Sequence, residues 1–247
     1  MTSGHSNYPT PSARRNLVAG TDFRRRLTST ARRLLKFRTL RVRRSLASTQ
    51  AAATRLRIPP ELGFLVVPEG SLSGVDDVVR AAQGLIASAP PEKREWAGKQ
   101  HLITGNLDMR RIGLDSSYLR FALQRDVLGP VIAYLGVVPL LRYVDVWYSC
   151  HSASLGDSQF FHCDWGDMSQ VKVYVHASNV GRASGPLVVV GADRSRAIRE
   201  ELHYNYVTHG WVQDDEMERH VAKEDVHDMT GPSGTCLLYT SPSPRDS

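Results

Sequence analysis

The stretch 158-SQFFHCDWGDMSQVKVYVHASNV-180 decides how this chain is read. Phe160 and Phe161 open it, a polar group of His162, Asp164 and Asp167 follows, and then Val171, Val173 and Val175 alternate with Lys172, Tyr174 and His176. Period-two alternation of β-branched residues is the mark of a strand with two different faces. If SQFFHCD is extended too, His162 and Asp164 point one way and Cys163 the other, with about 6 to 7 Å of rise between the two positions. An imidazole and a carboxylate so placed either converge on one metal ion or are polar decoration on a strand. H-x-D alone does not separate these readings. On the next strand Lys172 and Tyr174 share a face opposite the valines. An inward ammonium is expensive without an acidic partner, so either an acid meets it there or that face is wet.

Working outward, LLRYVDVWYSC (140–150) and PLVVVGA (186–192) read as further strands, with Gly, Asp, Asn and Ser between the runs. Upstream, Phe64 to Val67 reads as a short buried strand. Val75, Val78, Val79, Ala82, Leu85 and Ile86 recur at helical spacing, with Asp76 and Asp77 where a helix dipole favours them and Pro90-Pro91 beyond the end. A second helical pattern starts at Leu119 and runs to Gly136, and Gly129-Pro130 is expected to interrupt it. Residues 92–117 show no periodicity and are expected to be loop with short pieces of helix. A helix is expected at Arg194 to Leu202, and His203 to Met229, polar and rich in His and acids, is expected to be a loop or lid. Short strands following helices predict a mainly β domain, an antiparallel sheet or sandwich with flanking helices.

The charge divides the chain. Residues 1–57 hold thirteen Arg and one Lys against the single acid Asp22, a net +13, so the rest carries −7 of the overall +6. A basic N-terminal arm, partly helical or disordered, is thus expected before a mildly acidic domain that starts near residue 58. Leu34, Leu35, Phe37, Leu40 and Val42 among its arginines suit an amphipathic helix on an anionic surface. Nucleic-acid contact, membrane-surface binding, an organelle transit peptide and a solvated extension all remain open for residues 14–57. No run of eighteen apolar residues is present, and 41% hydrophobic content over 247 residues suffices for one core. Cys150, Cys163 and Cys236 are odd in number and lack C-x-x-C spacing, which argues against a disulfide framework or structural zinc. A reducing, cytoplasmic location is expected, with organelle targeting through the arm as the alternative.

GFLVVPEGSL (63–72) with its helix, YLGVVPLL (134–141), SQFFHCDWGD (158–167) and ASNVGRASGPLVVVGADRS (177–195) together resemble the phytanoyl-CoA dioxygenase-like family of Fe(II)- and 2-oxoglutarate-dependent oxygenases. The likeness covers roughly residues 60–235. It implies a double-stranded β-helix (a cupin-like jelly roll) that binds Fe(II) through His162 and Asp164, with Tyr174 contacting the 2-oxoglutarate cosubstrate. Such enzymes decarboxylate 2-oxoglutarate to succinate and hydroxylate a small organic substrate. Strand parity, separately, places Lys172 to pair with the cosubstrate's distal carboxylate. His203, His209, Trp211, His220 and His227 fall in the expected lid, where exposed loop residues are the simpler reading.

The family pattern continues beyond TGPSGT (230–235) with an apolar strand and a distal His that completes the iron site. Here the chain reads GTCLLYTSPSPRDS, with no His after His227. Residues 236–247 are therefore expected to be a non-native tail, a cloning or sequencing scar whose Ser-Pro-Ser-Pro ending is poor strand material, leaving the jelly roll incomplete, the third metal ligand missing and this chain impaired in Fe(II) binding and turnover. His176, His203, His209 or His227 would have to stand in. A non-catalytic jelly-roll binding module anchored by the basic arm is the alternative, and a cupin-type enzyme using another metal is a third reading.

Overall fold

The structure, a computed structural model, describes residues 37–51, 54–88, 95–96, 99–105, 112–149, 159–164, 169–204 and 210–242. The first strand and helix lie where their patterns predict. Strand β1 is Phe64–Val67, and helix α2, Val75–Ala87, follows helix α1, Phe37–Ala51. Gly74 precedes α2 with a left-handed φ of 71°, and Val75, Val78, Val79 and Ala82 form its buried stripe.

The second helical pattern breaks elsewhere than expected. Helix α3, Ser117–Leu123, stops at Gln124, and α4, Arg125–Leu135, runs through Gly129 and Pro130. Gln124 is extended (ψ 153°), and its side-chain amide both donates to the Ser73 carbonyl (2.9 Å) and accepts from the Ser73 hydroxyl (2.8 Å), which fixes the break there. Gly129 has a packing role instead: a Cβ at that position would lie 2.7 Å from the Thr54 Cβ. Its missing side chain lets α4 lie close against residue 54.

Strands replace the helical pieces expected within 92–117. Strand β2, Glu95–Trp96, pairs with β3, Lys99–Gly105, which pairs in turn with β4, Val146–Ser149, all antiparallel. A stretch without its own alternation takes strand form here from its partners. Strand β5, Ser169–Val175, and helix α5, Ala192–Glu201, agree with expectation, while the expected loop at 203–229 contains the short helix α6, Asp214–Met217, and ends in strand β7, Val226–Met229. β7 pairs with β6, Leu187–Val190, setting Val189 opposite His227.

The last strand carries the largest correction to the sequence reading. Strand β8, Cys236–Pro242, lies between β1 and β5 and is antiparallel to both. Val67 and Val175 both pair with Cys236, and Phe64 and Lys172 both pair with Tyr239. Its first five residues, Cys-Leu-Leu-Tyr-Thr, are good strand material, and the prolines come only at its end. Cys236 and Leu238 are 0% exposed and Leu237 is 2%.

This sheet has two working faces. Leu65, Val67, Val171, Val175, Cys236 and Leu238 pack against α2, α3 and α4, through Val75, Val78, Phe121, Val127 and Val131. The opposite face carries Phe64, Tyr174, Leu237 and Tyr239 and meets Leu187, Val189 and Met229 of the β6–β7 pair. That second face holds the candidate site.

The described part of the basic arm is docked. Ala47 of α1 is buried, Arg43 Nε donates to the Val138 carbonyl at 2.7 Å, and Thr54 and Ile58 are buried as well, so packing continues across residue 57. Phe37, Val42 and Leu46 of α1 remain exposed. Among the described residues no helix is long and apolar enough to cross a membrane.

Candidate metal centre

His162 and Asp164 follow a single bridge rather than a full strand. Phe161 and Val212 exchange backbone hydrogen bonds (3.1 and 2.8 Å), and Phe161 packs with Ile198, Val212, Met217 and Tyr204. The apolar residue before the pair is what anchors it. Beyond it, the Tyr204 hydroxyl accepts from the Cys163 amide (3.2 Å) and donates to the Gly210 carbonyl (2.9 Å). Tyr204 thus ties the backbone between the two candidate ligands to the chain near residue 210. Tyr204→Phe is expected to lower stability by about 1 to 2 kcal/mol, because a half-buried amide and carbonyl lose their partner; urea unfolding measures it.

The two side chains converge, although the chain at 162–164 is not in a strand. His162 Nε2 lies 3.7 Å from Asp164 Oδ1, while His162 Nδ1 lies 2.7 Å from the Phe160 carbonyl. The carbonyl can only accept, so Nδ1 carries the proton, and in the neutral ring Nε2 presents a lone pair to a carboxylate oxygen. A proton or a metal ion between them satisfies both. Donors about 2.1 Å from one ion are at most about 4.2 Å apart, so both reach it as they stand. A metal-binding His that donates its other ring nitrogen to a backbone carbonyl is the usual supporting arrangement.

The second carboxylate oxygen is already held. Lys172 Nζ is 2.5 Å from Asp164 Oδ2, Tyr239 donates to the same oxygen at 2.6 Å, and Lys172 Nζ lies 3.3 Å from the Tyr239 hydroxyl. Lys172 and Tyr239 are directly opposite in the β5–β8 register, which puts them side by side on one face. The acidic partner that the sequence reading sought for Lys172 in a cosubstrate is therefore supplied by Asp164. With side chains 21% and 17% exposed, the pair is largely withdrawn from water, and the remaining Tyr239 hydrogen bond helps offset its desolvation.

These contacts govern the charges. Burial pushes the Asp164 carboxyl up, but hydrogen bonding with His162, the Lys172 charge and hydrogen bonds from Lys172 and Tyr239 outweigh it and hold the group well below the usual carboxylate range. Burial, then the neighbouring Asp164 charge and Tyr143, raises Tyr174; burial, then Tyr174 and Asp164, raises Tyr239. Both phenols stay protonated and serve as donors. Tyr174 stacks at a tilt on Tyr239 (5.8 Å between ring centroids) and meets Trp147 edge-on at 6.3 Å. His162, Asp164, Lys172, Tyr174, Tyr239 and Trp147 all line a cleft of about 2470 Å³.

The structure thus brings together His162, Asp164, Lys172 and Tyr174, and adds Tyr239, which the sequence reading missed by setting residues 236–247 aside. The run of apolar residues after Gly234 was the signal for it. The other histidines lie elsewhere or outside the described residues. His203 is exposed with φ 45°, His220 Nδ1 is 3.1 Å from Glu201 Oε2, and His227 packs on the Phe64 ring at 5.0 Å. His176 caps β5, where its amide donates to the Thr235 carbonyl. His209 and Trp165 to Asp167 lie outside the described residues, and Trp211 is exposed. Among the described residues no group of three or more His, Cys, Asp or Glu side chains comes together to hold a metal. Two donors fit an ion; a third protein donor is not among them. Comparison of the chain with protein-family models, with curated proteins and with solved structures finds no match.

Proposed function

We propose that this chain carries two of the three protein ligands of the metal centre of a non-haem Fe(II)- and 2-oxoglutarate-dependent dioxygenase, built on a double-stranded β-helix and acting on a small organic molecule. The observation that carries the reading is the facing imidazole and carboxylate, His162 Nε2 and Asp164 Oδ1, 3.7 Å apart on the wall of a large cleft. An imidazole and a carboxylate are two-thirds of the facial set that suits Fe(II) and leaves positions open for oxygen and a chelating oxoacid. When bound, iron supplies the oxygen activation that no protein side chain provides.

The chain's own residues bind and orient. His162 is held in one tautomer by the Phe160 carbonyl, and Asp164 is held by Tyr239 and Lys172. Tyr174 is a hydrogen-bond donor on the wall where a carboxylate of the cosubstrate would dock, Tyr239 having its proton on Asp164, and Lys172 supplies positive charge beside them. Trp147 and Tyr174 give that wall an apolar surface that limits water. The test is an anaerobic calorimetric titration of the full chain with Fe(II), with and without 2-oxoglutarate. Weak Fe(II) binding by two protein donors, tightened by 2-oxoglutarate, is expected. Metal binding indifferent to 2-oxoglutarate would favour a cupin-type enzyme of another class. No metal binding, with salt-sensitive attachment to anionic polymers through residues 14–57, would favour the binding module.

A further inference from the structure

We propose that Lys172 is an internal counter-cation that occupies Asp164 until a metal arrives and then exchanges that carboxylate for one on the incoming cosubstrate. This rests on the metal-centre reading above and deepens it: it assigns to one residue both the guarding of the empty site and the coupling of its two ligands.

Three observations place Lys172 in that role. Its ammonium is 2.5 Å from Asp164 Oδ2, on the carboxylate whose other oxygen faces His162 Nε2. It is poised between partners, because Nζ also lies 3.3 Å from the Tyr239 hydroxyl and 5.6 Å from the centre of the Tyr239 ring. It emerges from β5 next to the cleft, on the same face as Tyr174 and with only 21% of its side chain exposed.

The charges then dictate the exchange. With the site empty, Lys172 neutralises a carboxylate that is largely withdrawn from water. A divalent cation drawn to Asp164 Oδ1 meets that ammonium as a like charge at short range, in surroundings that screen it less than water does. Lys172 loses the best part of its attraction to Asp164 at the same moment. It has a four-carbon stem and three donors, so it can turn to another anion without moving β5. A dicarboxylate entering the cleft supplies that anion. Metal and dianion therefore help each other bind through Lys172, and by linkage the help is mutual. Tyr239 remains on Asp164 Oδ2 throughout and keeps Oδ1 directed at His162.

The experiment is anaerobic calorimetry of the full chain with Fe(II) alone and with Fe(II) in the presence of 2-oxoglutarate, for wild type, Lys172→Met, Lys172→Gln, Lys172→Arg and His162→Ala. Near-ultraviolet circular dichroism checks each fold, and Lys172→Gln serves if the Met variant does not fold. Removing the ammonium is expected to tighten Fe(II) binding about ten-fold or more and to shrink the tightening by 2-oxoglutarate, while Lys172→Arg behaves like wild type. A residue that merely orients Asp164 would give the opposite sign. Unchanged or weaker Fe(II) binding by the Met and Gln variants, with His162→Ala still abolishing it, would overturn the exchange and leave the metal centre standing. Absence of Fe(II) binding in every variant would overturn both.

Discussion

His162→Ala is expected to remove specific Fe(II) binding, lowering affinity by more than about a hundred-fold, beyond the ten- to hundred-fold that loss of an outer-shell partner costs. The substitution takes away one of two donors 3.7 Å apart, and among the described residues no other His, Cys, Asp or Glu group is assembled to take over. The fold should lose little. Asp164 keeps Lys172 and Tyr239, Cys163 keeps Tyr204, and only the Phe160 carbonyl is left without its donor. Calorimetric titration beside a thermal melt separates the two effects. A variant that melts near wild type and binds Fe(II) as wild type does would place the metal elsewhere.

Leu238→Ala is expected to cost about 3 to 5 kcal/mol, in the upper part of the range for truncating a buried leucine. Leu238 is 0% exposed on the middle strand of β1–β8–β5, opposite Leu65 and Val173 and packed over the α2–α4 core, so the surroundings cannot collapse into the gap from an open edge. For a domain of this size that corresponds to a fall of roughly 10 °C in melting temperature. Urea unfolding monitored by tryptophan fluorescence measures it directly. A loss below about 1 kcal/mol would mean that residues 236–242 do not form the centre of the sheet.

What was legible in the sequence is what short-range pattern encodes. The stripe Val75-Val78-Val79-Ala82 marks α2, and the alternation from Val171 to Val175 marks β5 and puts Lys172 and Tyr174 on the face where they lie. The spacing of His162 and Asp164 foretold their convergence, although the chain there is held by one bridge and a tyrosine clamp rather than by a strand ladder. What was hidden depends on partners distant in sequence. β3 shows no alternation of its own, and the break between α3 and α4 comes from Gln124 reaching Ser73, 51 residues away. Lys172's acid could not be read from strand parity because parity gives a face and no neighbour. Tyr239 was hidden for a different reason: the Ser-Pro-Ser-Pro ending drew attention from the five strand-forming residues just before it.

The central place of β8 also sets a timetable for folding. Thr240 donates to the Gly63 carbonyl across a separation of 177 residues, so the first strand of this sheet has no neighbour when it is made. At about 5 to 20 residues per second, β1 waits roughly 9 to 35 s for the strand that joins it to β5. Throughout that interval the edges of β1 are unpaired, and those of β5 join them once it is made, which is the condition under which nascent chains stick to one another or recruit chaperones. The metal site inherits the delay: Tyr239 arrives on the same late strand, so Asp164 receives its full set of partners only some 75 residues after it is made.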